Sequence, residues 1–151
     1  MDESAETATK PGMDPFLKRY LSVLGFLVLA GLAYWATQQD ERVGQLNDKL
    51  ASASELADYP YRFRVLELEG GVAVMTSPRS AERGPLHFLR ILDPSLNDKD
   101  VVHPDMMAAQ DLLAQKQSAA ERLVREEADV DRVRWQLDEA WYASKGVFLP
   151  D

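Results

Sequence analysis

One stretch of the chain, residues 20–37, is apolar at nearly every position and contains no charged side chain. At a rise of about 1.5 Å per residue, a helix of this length covers roughly 27 Å, close to the hydrocarbon thickness of a bilayer. Aromatic rings lie near both ends, as is typical of the two headgroup levels. The sequence therefore predicts a membrane-spanning helix over residues 16–37, marked by Tyr20, Leu21, Gly25, Ala30, Trp35 and Thr37.

A cleaved signal peptide is the main alternative for an apolar segment near the amino terminus. The apolar region of a signal peptide usually runs about 7 to 15 residues and ends in small residues at the cleavage site. Here the run is longer, it ends in Tyr34 and Trp35, and the segment before it is partly acidic. A buried core helix would need a polar face, which the run lacks. We therefore favour an uncleaved signal anchor in a single-pass protein.

Basic residues flanking the run predict its orientation. Lys10, Lys18 and Arg19 precede it, whereas Arg42 and Lys49 follow only after a polar and acidic stretch. Because positive charge near a span favours the cytoplasmic side, we expect a cytoplasmic amino terminus. The localisation predicted is the cell inner membrane, with a periplasmic or otherwise extracytoplasmic carboxyl-terminal domain. The absence of cysteine is compatible with that compartment.

The remaining chain divides by composition. Residues 1–15 are small, polar and interrupted by proline and glycine, which predicts a disordered cytoplasmic tail. Residues 38–58 are predicted to form a helical stalk, and residues 59–151 one extracytoplasmic domain. Apolar residues in the stalk follow a heptad spacing, at Val43, Leu46, Leu50, Ala53 and Ala57. This spacing permits a homodimer through residues 43–57, or a helix packed on its own domain.

A β-hairpin is predicted at the start of the domain. Gly70 and Gly71 lie between two β-rich runs and supply the positive φ values of a tight turn. The alternation of apolar and polar residues changes phase near Val65. This change predicts a β-bulge, or a strand covered on both faces.

The second half of the domain is predicted to contain a long helix and a third strand. Residues 85–92 fit either a short helix after Pro85 or a strand. Residues 104–127 have an apolar stripe at helical spacing, and residues 130–137 alternate as a half-buried strand does. Asp138 is placed to start a last helical turn. We expect an α+β domain with one antiparallel sheet and one long packing helix.

The sequence Val-Asp-Arg-Val-Arg-Trp, at residues 130–135, follows the long helix after a short connection. This arrangement resembles that of small periplasmic modules such as BON-type domains. The resemblance is one of fold, and it covers about a third of the chain.

No motif for catalysis, a cofactor or a metal is recognisable, and we expect no enzymatic activity. His87 and His103 are far apart in sequence, and cysteine is absent. Two D-x-D triplets, at residues 98–100 and 129–131, resemble those that hold a divalent cation with a nucleotide, but no phosphate-binding loop precedes them. The net charge is −8 and no segment is strongly basic, so we expect no nucleic-acid binding.

Four arginines form a candidate docking patch. Arg62 and Arg64 alternate along the first predicted strand, and Arg132 and Arg134 along the last. If these strands are neighbours, the four guanidinium groups share one face and can bind an acidic protein or another anionic partner. The alternative is an ordinary solvated face on which carboxylates such as Glu67 offset the arginines.

The function predicted from these features is that of a membrane-anchored accessory, assembly or scaffold protein whose domain binds another envelope component. The alternative is a tethered ligand-binding or sensing domain with a pocket lined by Phe63, Met75 and Trp135. A small transferase using the D-x-D near Asp129 is less favoured.

Overall fold

The computed structural model describes residues 15–80 and 83–148. The predicted tail thus lies outside the described residues except for Pro15. The chain divides into two compact units at residues 37 and 38. Its elements in order are α1 (Pro15–Ser52), α2 (Ser54–Ala57), β1 (Val65–Glu69), β2 (Val72–Ser77), α3 (Pro85–Leu92), a 3-10 turn (Pro94–Leu96), α4 (Pro104–Arg125), β3 (Arg132–Leu137) and α5 (Glu139–Ser144).

Helix α1 is long and apolar enough to cross a membrane. It has 38 residues, and no side chain in its apolar part is buried. The six residues predicted to mark the membrane span all lie on α1 and are exposed. A helix that exposes apolar side chains on every face is a candidate membrane span.

The β1–β2 hairpin is confirmed. The two strands pair antiparallel across Gly70 and Gly71, whose φ angles are +54° and +76°. Gly71 also lies against Asp131, so that a Cβ atom at this glycine would overlap the carboxylate. The register of the pairing shifts between Val65 and Glu67, which confirms the predicted bulge.

The α+β class and the long packing helix are also confirmed. Strand β2 lies at the centre of a three-stranded sheet of order β1-β2-β3. In one detail the prediction was wrong, since β3 pairs with β2 in parallel and the sheet is mixed. The connection through α3 and α4 returns the chain to the end of the sheet at which β2 begins, and such a crossover makes the strands parallel.

Residues 85–92 form α3. The sequence was compatible with either a helix or a strand here. Pro85 occupies the first turn of this helix, where its missing N–H group costs no hydrogen bond. Pro104 has the same role in α4, and the Nδ1 atom of His103 accepts a hydrogen bond from the Asp105 backbone N–H (3.2 Å). His103 therefore caps a helix.

The hydrophobic core lies on one face of the sheet, here called the inner face. Val65, Leu68, Ala73 and Met75 point into it, and Val133, Trp135 and Leu137 are half-buried at its side. The helices and the segment before β1 fill the core with Leu46, Leu50, Tyr61, Phe88, Met106, Leu113, Val124 and Tyr142. Residues 38–52 of α1 thus belong to the same compact unit as the sheet.

Candidate functional site on the outer face of the sheet

The opposite side of the sheet, here called the outer face, separates its charges by strand. It carries Glu67 and Glu69 on β1, Val72 and Val74 on β2, and Arg132 and Arg134 on β3. The register places Glu67, Val74 and Arg134 in one row. Glu69, Val72 and Arg132 form the next row. The face is therefore acidic at one edge, apolar in the middle and cationic at the other edge.

A shallow hollow of about 490 Å³ lies on this face, lined by Glu67, Glu69, Val72, Val74, Arg132, Val133 and Arg134. Because neighbouring strands are about 4.8 Å apart, the backbones of β1 and β3 are separated by about 10 Å. Among residues 15–80 and 83–148, the side chains of Arg132 and Arg134 make no hydrogen bond or ion pair. The two guanidinium groups therefore keep their full hydrogen-bonding capacity for a partner.

The structure places the four predicted arginines in two pairs. Arg62 and Arg64 precede β1 and line a separate groove of about 470 Å³. Strand β2 separates β1 from β3, so the condition that the two strands be neighbours is not met. Arg64 Nη2 lies 3.3 Å from the carboxylate of Asp138, and both Arg62 and Arg64 are exposed. The docking role of these arginines stays a prediction.

Asp138 is the centre of a buried polar cluster. Its side chain is only 4% exposed. Its Oδ2 atom accepts a hydrogen bond from the Tyr61 hydroxyl (3.0 Å), and its Oδ1 atom accepts one from the Trp141 backbone N–H (3.0 Å). Burial raises the pKa of Tyr61 well above its ordinary value, so the hydroxyl remains a donor. The cluster joins the segment before β1 to the first turn of α5.

Ion pairs join residues 38–52 of α1 to the connection between α4 and β3. Arg42 binds Asp129 through two hydrogen bonds of 2.7 and 2.6 Å, and its Nη2 atom also lies 2.7 Å from Glu127. Lys49 binds Glu127 at 2.7 Å. Hydrogen bonds from Lys49 and Arg42 lower the pKa of Glu127, and the bond from Arg42 lowers that of Asp129. These contacts are structural.

The D-x-D at residues 129–131 is thus engaged in the fold, since Arg42 occupies both carboxylate oxygens of Asp129. Over the part of the chain that the structure describes, no group of three or more His, Cys, Asp or Glu side chains is placed to hold a metal ion. His87 stacks on Tyr142 with ring centroids 6.0 Å apart.

The residues predicted to line a ligand pocket pack against one another. Phe63 and Met75 are buried in the core, and the rings of Phe63 and Trp135 are 6.0 Å apart in an edge contact. The nearby groove that contains Arg62 is lined by Tyr59, Tyr61 and Phe63 on its aromatic side.

The heptad residues of the stalk are partly used within the chain. Leu46 and Leu50 are 1% and 3% exposed because they pack into the core. Ala57 remains exposed and Ala53 half-exposed. The homodimer through residues 43–57 stays a prediction, but a dimer that used the two leucines would have to displace them from the core.

Asn47 is a residue whose role the sequence analysis did not identify. Its side-chain amide donates to the Val65 carbonyl (2.9 Å) and accepts from the Val65 N–H (2.7 Å). The amide thus bonds to the edge of β1 that faces away from β2, as the backbone of a neighbouring strand would. No sequence pattern predicts this contact, because it joins residues that are 18 positions apart and lie on different elements.

No protein-family model, curated protein or solved structure matches this chain. The resemblance to BON-type domains therefore stays a prediction, and the functional argument rests on the residues themselves.

Proposed function

We propose that this protein is a membrane-anchored accessory or assembly subunit whose domain, residues 38–151, binds another component of the cell envelope. The observation that carries the proposal is the pair of exposed arginines, Arg132 and Arg134, whose side chains have no hydrogen-bond or ion-pair partner among the described residues. They lie beside Val72, which is half-buried, and Val74, which is buried at 4% exposure, and neither valine belongs to the core cluster of the inner face. An unpaired cationic edge beside an apolar strip is suited to an acidic protein surface.

The apolar part of α1 supports the anchoring half of the proposal. Transfer of its exposed side chains from water to lipid is favourable, and its length matches the thickness of the hydrocarbon core of a bilayer. An anchor confines the domain to the membrane surface and raises its effective concentration near a membrane partner without adding contacts. Tethering and weak docking together give a stable association. The inner membrane and a cytoplasmic amino terminus remain part of this proposal, on the bias of Lys18 and Arg19.

Cysteine labelling tests the anchor and its orientation, since the chain contains no cysteine of its own. We expect Ala108→Cys, on the exposed side of α4, to react with a membrane-impermeant maleimide in intact spheroplasts. Ala5→Cys should react only after the membrane is permeabilised. The opposite pattern would reverse the orientation, and release of the protein by carbonate extraction would contradict an integral anchor.

Copurification tests the docking. We expect the full-length protein, solubilised in mild detergent, to bring down a stoichiometric envelope protein. The double variant R132Q/R134Q should recover at least about tenfold less of it, because each lost charge-assisted hydrogen bond costs about 1.5 to 3 kcal/mol. The control R125Q/K145Q removes the same charge from two exposed positions elsewhere and should recover the wild-type amount.

Equal recovery with both double variants would show that the cationic edge is not the docking site. Purification of the protein without a partner would contradict the accessory role. That result would favour ligand binding in the groove lined by Tyr59, Tyr61 and Phe63.

A further inference from the structure

Strand β3 has an open edge. Its hydrogen bonds to β2 come from alternate residues, beginning with the Arg132 N–H to the Gly71 carbonyl (3.1 Å) and continuing past the strand with the Asp138 N–H to the Ser77 carbonyl (2.8 Å). The backbone groups of Val133, Trp135 and Leu137 therefore point away from β2. Within the described ranges, no backbone or side-chain group bonds to them.

The two edges of the sheet differ in this respect. The edge of β1 is closed at Val65 by the Asn47 side chain, and the adjacent bulge interrupts its regular spacing. Bulges and covering side chains are common means of protecting an edge from other strands. The edge of β3 has neither feature over its six residues. An unprotected edge is a template for a strand from another chain.

Side chains on both sides of this edge define the chemistry of such a strand. On the outer face the edge carries Arg132 and Arg134, and on the inner side the half-buried Val133, Trp135 and Leu137. We infer that β3 binds an extended segment of the partner protein as a fourth strand, and that acidic and apolar residues alternate along this segment. The inference rests on the proposed docking function and specifies its binding mode.

A second copy of this chain fits the edge less well. Pairing of β3 with β3 of another copy would place arginines opposite arginines on one face, and like charges at such positions are destabilising. Strand β1 has the required alternation, at Leu66, Glu67, Leu68 and Glu69, but Asn47 bonds to Val65 at the start of its edge, and the bulge between Val65 and Glu67 interrupts the regular spacing. The occupant is therefore a segment of a different protein.

Peptide binding to the full-length protein in lipid nanodiscs tests the inference. The probe is a fluorescent peptide of eight alternating leucine and glutamate residues, and the matched control replaces every glutamate with lysine. We expect the acidic peptide to bind the wild type at least about tenfold more tightly than the basic one. R132E/R134E should reverse this preference. Empty nanodiscs give the background from binding to lipid.

N-methylated peptides separate strand addition from simple charge attraction. A methyl group on the backbone nitrogen removes a ladder hydrogen bond and leaves the side-chain charge unchanged. One peptide carries N-methyl groups on all its leucines, and a second carries them on all its glutamates. Because only alternate residues of an added strand bond to β3, we expect at least about tenfold lower affinity in one of these two peptides. Equal binding of both methylated peptides and the parent would overturn the inference, as would equal binding of acidic and basic peptides or no binding above background.

The two proposals fail in different ways. If the full-length protein copurifies with a partner through Arg132 and Arg134 but no acidic peptide binds, the binding mode is wrong and the accessory role stands. If no partner copurifies, the accessory role itself is contradicted.

Discussion

Residues 59–151 expressed alone are expected not to fold, whereas residues 38–151 are expected to unfold in one cooperative transition. The shorter fragment lacks Leu46 and Leu50, which are 1% and 3% exposed in the core. Removal of a buried leucine side chain costs about 2 to 5 kcal/mol. The sum for the two residues is comparable with the whole stability of a domain this size, about 5 to 15 kcal/mol. Circular dichroism with urea denaturation measures both fragments.

Single substitutions within residues 38–151 locate the effect. Leu46→Ala and Leu50→Ala should each lower the free energy of unfolding by about 2 to 5 kcal/mol. The control is Leu112→Ala, the same change on a helix at a leucine that is 44% exposed, which should cost less than about 1 kcal/mol. A stable fragment 59–151, or losses below about 1 kcal/mol for both Leu46→Ala and Leu50→Ala, would show that residues 38–58 are not part of the core.

The features predicted correctly from the sequence are those set by neighbouring residues. Two glycines at Gly70 and Gly71 determine the turn, and the change of phase near Val65 identifies the bulge. The cap at Asp138 is also local, because its carboxylate accepts from the backbone three residues ahead. Periodicity and turn chemistry act over a few residues, so a single sequence displays them.

The features that could not be predicted depend on which elements become neighbours. Alternation along β3 indicates that the strand has two different faces. It does not indicate the direction of the strand or which strand lies beside it. The connection through α3 and α4 places β2 between β1 and β3, and this separates Arg64 from Arg134. The capping of β1 by Asn47 has the same origin. In each case the path of the chain, and not the local sequence, determined which residues became partners.

The heptad spacing of residues 43–57 illustrates this ambiguity. A stripe of apolar residues at intervals of three and four is required equally by a dimer seam and by a helix packed on its own domain. The structure buries Leu46 and Leu50 within the chain. Ion pairs from Arg42 and Lys49 to Glu127 fix the same side of the helix. The apolar stripe alone does not distinguish a dimer seam from a helix packed on its own domain. The ion pairs of Arg42 and Lys49 with Glu127 do, because they join this side of the helix to the same chain.

Asp138→Ala is expected to destabilise residues 38–151 by about 2 to 4 kcal/mol. The change removes the cap of α5, worth about 1 kcal/mol. It also leaves the buried Tyr61 hydroxyl without its Asp138 acceptor, which costs about 1 to 3 kcal/mol. The Arg64 ion pair adds less, because that side chain is 53% exposed and screened by solvent. Urea denaturation measures the change, with Glu139→Ala at an exposed neighbouring position as the control.

A double-mutant cycle separates the hydrogen bond from the cap. Tyr61→Phe keeps the ring and its packing on Phe63 and Phe88 but removes the hydroxyl. In the double variant Y61F/D138A no hydroxyl remains to be satisfied, so its loss should be smaller than the sum of the single losses by about 1 to 2 kcal/mol. Strict additivity would show that the buried bond contributes nothing and that Asp138 acts only as a helix cap. A coupling of the expected size would identify the Tyr61–Asp138 bond as the contact that holds the segment before β1 against α5.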